Sequence, residues 1–185
     1  MPDKIILGER VPRVSLGYIE DGILCSATTE EIFGSGRVLI LGVPGAFTPV
    51  CTQQHVPDFV RNADQLHAAG FEALLCLAAS DPFTLDAWAQ TLDPDRRIRF
   101  VSDGNLDFAA ALGLVRPHRD LFLGRRSERY LMVVNELKIQ VFRVEDSILT
   151  VSCTASLGGT RENVIVTALT SALTIESNFL QYSSG

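Results

Sequence analysis

Cys51 is the residue on which chemistry would turn. It stands three positions after Thr48 and four before His55 in VPGAFTPVCTQQHVPDF, residues 43–59. The other cysteines are Cys25, Cys76 and Cys153, and no C-x-x-C pair exists, so neither a zinc ribbon nor a dithiol redox motif is present. At a helix N-terminus, unpaired N–H groups and the positive end of the helix dipole favour an anion, so a thiol there is held as thiolate more readily. Cys51 is therefore either a reactive thiolate or an inert buried cysteine. The Thr48 hydroxyl either bonds the thiolate or a substrate oxygen, or it caps the helix. His55 lies one turn after Cys51 on the same face, which suggests a Cys–His pair. No Asn or Asp stands out to orient it, so a supporting or structural role is expected. His67 and His118 lack such spacing, and three scattered histidines predict no metal site.

These residues need a frame. RVLILGV (37–43) reads as a buried strand bounded by Gly36 and Pro44. Val56, Phe59, Val60, Ala63 and Leu66 mark one face of a helix over 51–69, with a kink at Pro57. That arrangement puts Cys51 at a helix start, on a loop at the carboxyl end of a strand, where sites in α/β sheets are built. FEALLCLAA (71–79) and IRFVS (98–102) read as further strands, and DPFTLDAWAQTL (81–92) and NLDFAAALGL (105–114) as helices. RYLMVVN (129–135) and KIQVFRV (138–144) form a hairpin across Glu136 and Leu137, a dipeptide that turns do not favour. Thr28 and Glu31 have capping-box spacing for a short helix that Gly34 ends. Alternating strands and helices with a late hairpin predict a three-layer α/β sandwich with a mixed sheet, thioredoxin-like architecture being one solution. Phe47, Phe83, Trp88 and Phe122 read as apolar anchors, mostly core. Phe47 and Phe122 also suit a pocket wall or a dimer face.

PGAFTPVC resembles the P-x-x-x-T-x-x-C motif of the peroxiredoxins, with Pro44, Thr48 and Cys51 matching. GVPGAFTPVC followed by HVPDF is similar to the peroxiredoxin-5 (type II) group. The resemblance continues through LAASDPFTLDAW, ALGL and GRRSERYLMVV, over about residues 5–155. It implies a thioredoxin-like domain over 1–160, with 161–185 as an extension of uncertain structure. It implies a thiol peroxidase for hydrogen peroxide and alkyl hydroperoxides, with Cys51 passing through a sulfenic acid. Thr48 and Arg129 would hold the peroxide oxygens, and Pro44 would shield the site. Without the resemblance Arg129 reads as a surface arginine, as Arg125 and Arg126 do. Cys153 takes the place of the resolving cysteine found in part of the family. Cys76, inside an apolar run, reads as a core residue. The implied reductant is thioredoxin, or glutaredoxin with glutathione. The resemblance also implies a homodimer that needs no metal, haem or flavin.

The chain has 185 residues, 46% hydrophobic and 21% charged, which suits one globular domain and excludes disorder and a disulfide-dense miniprotein. A net charge of -6 removes the usual electrostatic footprint for nucleic acid. No run of 18 apolar residues suggests a membrane span, and the N-terminus does not read as a signal peptide. A reducing, cytoplasmic setting is the default for free thiols. The rival reading is a redox-inert peroxiredoxin-like chaperone or interaction module. A disulfide oxidoreductase is disfavoured because C-x-x-C is missing.

Overall fold

The computed structural model describes residues 7–145. Its centre is the strand that feeds Cys51. That strand, β3 (Arg37–Val43), is apolar beyond Arg37 and is bounded by Gly36 and Pro44. It pairs in parallel with β4 (Ala73–Ala78), which pairs in parallel with β5 (Arg99–Ser102). β8 (Tyr130–Asn135) lies antiparallel to β3, and β9 (Lys138–Val144) antiparallel to β8. The other edge carries the hairpin β1 (Ser15–Glu20) and β2 (Ile23–Thr28), so the order is β2-β1-β5-β4-β3-β8-β9. β6 (Val115–His118) and β7 (Gly124–Ser127) form a separate small ribbon.

Period-two alternation divides the core into two layers. Leu39, Leu41 and Val43 face one way, onto Phe59 of α2 (Val56–Arg61), Leu66 of α3 (Ala63–Ala68) and Trp88 of α4 (Pro82–Leu92). Val38 and Ile40 face the other way, onto Phe33 of α1 (Thr29–Phe33) and Phe108 of α5 (Asp107–Ala111). With both faces covered, this is the expected three-layer sandwich around a mixed sheet. Trp88 is fully buried and meets Phe100 edge-on at 5.8 Å. Gly42 is required by close approach: a Cβ there would overlap the Tyr130 ring on the neighbouring strand. Among the described residues no helix is long and apolar enough to cross a membrane.

The Thr28–Glu31 capping box forms, and Gly34 follows α1 at φ 66°. The late hairpin forms too. Glu136 and Leu137 adopt φ of 49° and 62°, the left-handed pair that a two-residue loop between right-twisted strands requires. The expected helix over 51–69 is three pieces. Residues Cys51–His55 form a π turn, in which the Val56 N–H reaches the Cys51 carbonyl. Pro57 follows and has no N–H to give, which removes the regular bond back to the Gln53 carbonyl. A second break falls at Asn62, whose side chain donates to the Asp58 carbonyl at 2.7 Å.

Candidate active site

Pro44 and Gly45 turn the chain out of β3, and both are buried. Helical conformation begins at Pro49, and the first helical bond runs from the Thr52 N–H to the Thr48 carbonyl at 3.0 Å. Cys51 thus sits in the first turn, with no exposed surface. Thr48 Oγ1 donates to the Gly45 carbonyl at 3.0 Å, which ties the loop to itself. A hydroxyl that gives away its one proton keeps acceptor capacity.

Arg129 enters from β8's near end, 78 residues from Cys51 in sequence, and is 1% exposed. Its Nη1 donates to Cys51 Sγ at 3.2 Å and to His55 Nδ1 at 2.9 Å. Arg129 is thus no surface charge, the reading it had without the family resemblance. Its carbonyl accepts the N–H of buried Glu145 at 2.9 Å, which fixes the backbone at this point. Burial, and then the Arg129 charge, push His55 down from 6.5 to about 3. The imidazole is therefore neutral near pH 7, with its proton on Nε2 and Nδ1 accepting from arginine. His55 is not a base for the thiol; it holds the guanidinium that faces the thiol.

Cys76 is fully buried on β4, in the same apolar cluster as Cys51. Burial pushes its thiol up, the nearby Cys51 charge pushes it further, and Arg129 only partly opposes this. That environment makes Cys76 a core residue and a poor nucleophile. Cys25 lies half-buried on edge strand β2. Cys153 and the segment 161–185 lie outside the described residues. No cluster of metal-ligating side chains occurs among the described residues.

Two further readings change, and one residue was missed. Phe47, Phe83 and Phe122 are not core: they are 55%, 63% and 96% exposed, and only Trp88 of the four is buried. Arg126 is not a surface charge. It is half-buried, donating Nε to the Leu123 carbonyl at 2.8 Å and Nη1 to the Ala79 carbonyl, with its guanidinium over Gly45. Ser80 was not singled out, yet its Oγ accepts the Ala46 N–H at 2.9 Å and pins the active-site loop to the end of β4.

The chain matches the Redoxin family over residues 7–156. It is 34% identical to Peroxiredoxin-2B of Arabidopsis thaliana over 142 residues, covering 76% of this chain and 88% of that one. It is 35% identical to chloroplastic Peroxiredoxin-2E-2 of Oryza sativa subsp. japonica over 147 residues, covering 77% and 65%. Among solved structures it resembles reduced Prx3 of Vibrio vulnificus in complex with hydrogen peroxide, with TM-score 0.77 and 28% identity over 89% of this chain and 99% of that one. Peroxiredoxin 5 of Alvinella pompejana follows, with TM-score 0.74 and 25% identity over 92% and 99%. A thiol under a buried arginine on this sheet thus has family company as well as chemistry, and the chain belongs to the peroxiredoxins, consistent with their type II group, as a thiol peroxidase.

Proposed function

We propose that the enzyme reduces hydrogen peroxide and alkyl hydroperoxides on Cys51, with Thr48, Arg129 and Pro44 as its partners. The observation that carries this is the 3.2 Å approach of Arg129 Nη1 to Cys51 Sγ. A guanidinium stays charged at any working pH and offers several donors in one plane. One donor steadies the thiolate while others meet the peroxide oxygens. The thiolate attacks the terminal oxygen; an S–O bond forms and the O–O bond breaks. Cys51 becomes a sulfenic acid, and the leaving oxygen takes a proton to become water or an alcohol. Thr48 accepts from the peroxide O–H and keeps it in line with sulfur. Arg129 stabilises the charge that grows on the leaving oxygen, the part of catalysis that preorganised donors supply. Buried Pro44 fixes the loop and keeps bulk water off the sulfur.

The reductant side of the proposal is Cys153 followed by thioredoxin, or glutaredoxin with glutathione acting directly on the sulfenic acid. The core position of Cys76 supports giving it no part. We place the enzyme in the cytoplasm, where thiols stay reduced. We propose a homodimer in contact through the loop face near Phe47 and residues 80–83, which the exposure of Phe47 and Phe83 supports. Segment 161–185 is proposed as an extension beyond the peroxiredoxin domain.

Peroxide consumption by Cys51→Ser tests the core of this reading: it should vanish, and turnover near wild type would move the chemistry elsewhere. Peptide mapping after one equivalent of peroxide tests the resolving step. A Cys51–Cys153 bridge is expected, whereas a Cys51–Cys76 bridge would overturn the assignment. Light scattering that gives a monomer at every concentration would refute the dimer.

A further inference from the structure

We propose that the cavity beside Thr48 is a subsite for a carboxylate carried by one of the enzyme's small-molecule reactants, and that Arg125 reads it. The inference rests on the thiol-peroxidase reading of Cys51. The cavity has a volume of about 450 Å³ and is walled by Ala46 and Thr48 of the active-site loop, Ser80 and Asp81 after β4, and Arg125 and Arg126 of β7. One water claims about 30 Å³, so hydrogen peroxide alone is far too small to fill this space, which falls in the range of small-molecule pockets.

The polar groups of the wall are unevenly spent. Both Asp81 carboxylate oxygens are engaged, Oδ1 by the Thr84 N–H at 2.9 Å and Oδ2 by the Thr84 hydroxyl at 2.6 Å. Ser80 Oγ already accepts from the Ala46 N–H, so its own proton remains to give. Arg126 spends Nε and Nη1 on the Leu123 and Ala79 carbonyls, which leaves Nη2. Arg125 is exposed and makes no hydrogen bond or ion pair among the described residues. Thr48 and the Asp81 carboxylate keep some acceptor capacity, but two guanidiniums face that one carboxylate, and Ser80, Arg125 and Arg126 keep donors to give. Such a wall suits an anionic acceptor, and a planar guanidinium matches a carboxylate with two parallel bonds.

Two reactants could carry that carboxylate past Thr48. On the oxidant, R–O–OH loses its terminal oxygen to the Cys51 thiolate, giving the sulfenic acid and RO⁻, which takes a proton. On the reductant, R′S⁻ attacks the sulfenic sulfur, an S–S bond forms and the hydroxyl leaves as water with one proton. A second R′S⁻ then releases R′S–SR′ and the Cys51 thiolate.

Arg125→Gln separates these sources. One arm compares rates of Cys51 oxidation by 3-hydroperoxy-3-methylbutanoate and by neutral tert-amyl hydroperoxide. The other compares reduction of the sulfenic form by 3-mercaptopropionate and by 3-mercaptopropan-1-ol. In each arm the readout is the anionic-to-neutral rate ratio, in which any general loss of reactivity cancels. In one arm that ratio should fall about fivefold to tenfold in Arg125→Gln and be only partly restored in Arg125→Lys, which keeps the charge and loses the planar fork, as one partly solvated charged contact predicts. The arm that responds names the source. Ratios unchanged within twofold in both arms overturn the proposal. So does an Arg125→Gln that weakens self-association in sedimentation yet moves neither ratio, which would assign the cavity to a subunit contact. If the underlying reading is what fails, wild type itself will show no Cys51-dependent consumption of hydrogen peroxide.

Discussion

His55→Asn should make the protein markedly less sensitive to mild acid. Asn Oδ1 stands close to where His Nδ1 stood, so Arg129 keeps an acceptor, but the new side chain cannot take a proton. In wild type the folded state holds His55 neutral down to about 3, against 6.5 for an unhindered imidazole. Between those values the unfolded chain binds a proton that the folded chain refuses. Stability therefore rises with pH across that window and is lost as pH falls below about 6.5. Integrated from pH 7 to pH 5, this one group removes about 2 kcal/mol of stability, and to pH 4 about 3 kcal/mol. The pH 5 comparison is the cleaner, because most carboxylates still hold their charge there. With a urea slope near 2 kcal/mol/M, the wild-type midpoint should drop by about 1 M more than that of His55→Asn between pH 7 and pH 5. Equal midpoint shifts in the two proteins would mean that His55 is not held neutral by burial and Arg129, and the account of its role would fall.

Arg129→Lys should slow Cys51 oxidation by about a hundredfold, since an ammonium keeps the charge but cannot span sulfur, His55 and peroxide together; stopped-flow oxidation at wild-type speed would refute this. Pro57→Ala should restore a backbone donor and regularise the π turn, slowing reduction of oxidised Cys51 by protein thiols about fivefold while leaving peroxide attack nearly unchanged. Rapid-mixing assays of the two half-reactions check it, and reduction at wild-type speed would refute a part for the π turn in that step. Gly42→Ala should cost about 1–3 kcal/mol, because the added methyl must displace the Tyr130 ring in a packed core; urea unfolding at pH 7 measures it.

The central strands were legible because their limits were covalent. Gly36 and Pro44 bound RVLILGV, and β3 runs over those seven residues. The capping box at Thr28 was legible for the same local reason. What went unread was of two kinds. The β1–β2 hairpin carried a plain signal, Asp21-Gly22, and both residues take the left-handed φ such a turn needs, 50° and 77°. It was missed because its strands, half-exposed at the sheet edge, have weak apolar alternation. The second kind had little local signal. Asn62 breaks the helix through its own side chain, and the burial of Arg129 depends on a strand far off in sequence. Motif resemblance supplied Arg129; single-sequence physics read it as exposed. The three surface phenylalanines failed in the opposite way, since hydrophobicity says nothing of whether a loop, or the first turn of α4 in the case of Phe83, turns its side chain inward. Phe47 and Phe122 both sit at left-handed φ, 58° and 55°; Phe47 keeps one side against Trp88 at 6.3 Å, while Phe122 is almost wholly exposed.

The two buried thiols show how one core separates reactive from inert sulfur. Cys51 and Cys76 share an apolar cluster and neither has exposed surface. Burial disfavours the thiolate of Cys76. What differs is the supply of donors. Cys51 lies in the first turn of a helix, with the Arg129 guanidinium in hydrogen-bond contact. Cys76 lies mid-strand, where β3 and β5 use the neighbouring backbone groups for the sheet. Arg129 influences it only weakly against burial and the nearby Cys51 charge. One arginine thus singles out Cys51 for contact, and His55 holds the arginine. The same arrangement explains why His55 must stay neutral. A second positive charge at 2.9 Å from Arg129 Nη1 would repel the guanidinium and turn its donor away from sulfur. Burial of the imidazole, which looks like a packing detail, is the condition that keeps a cation aimed at Cys51.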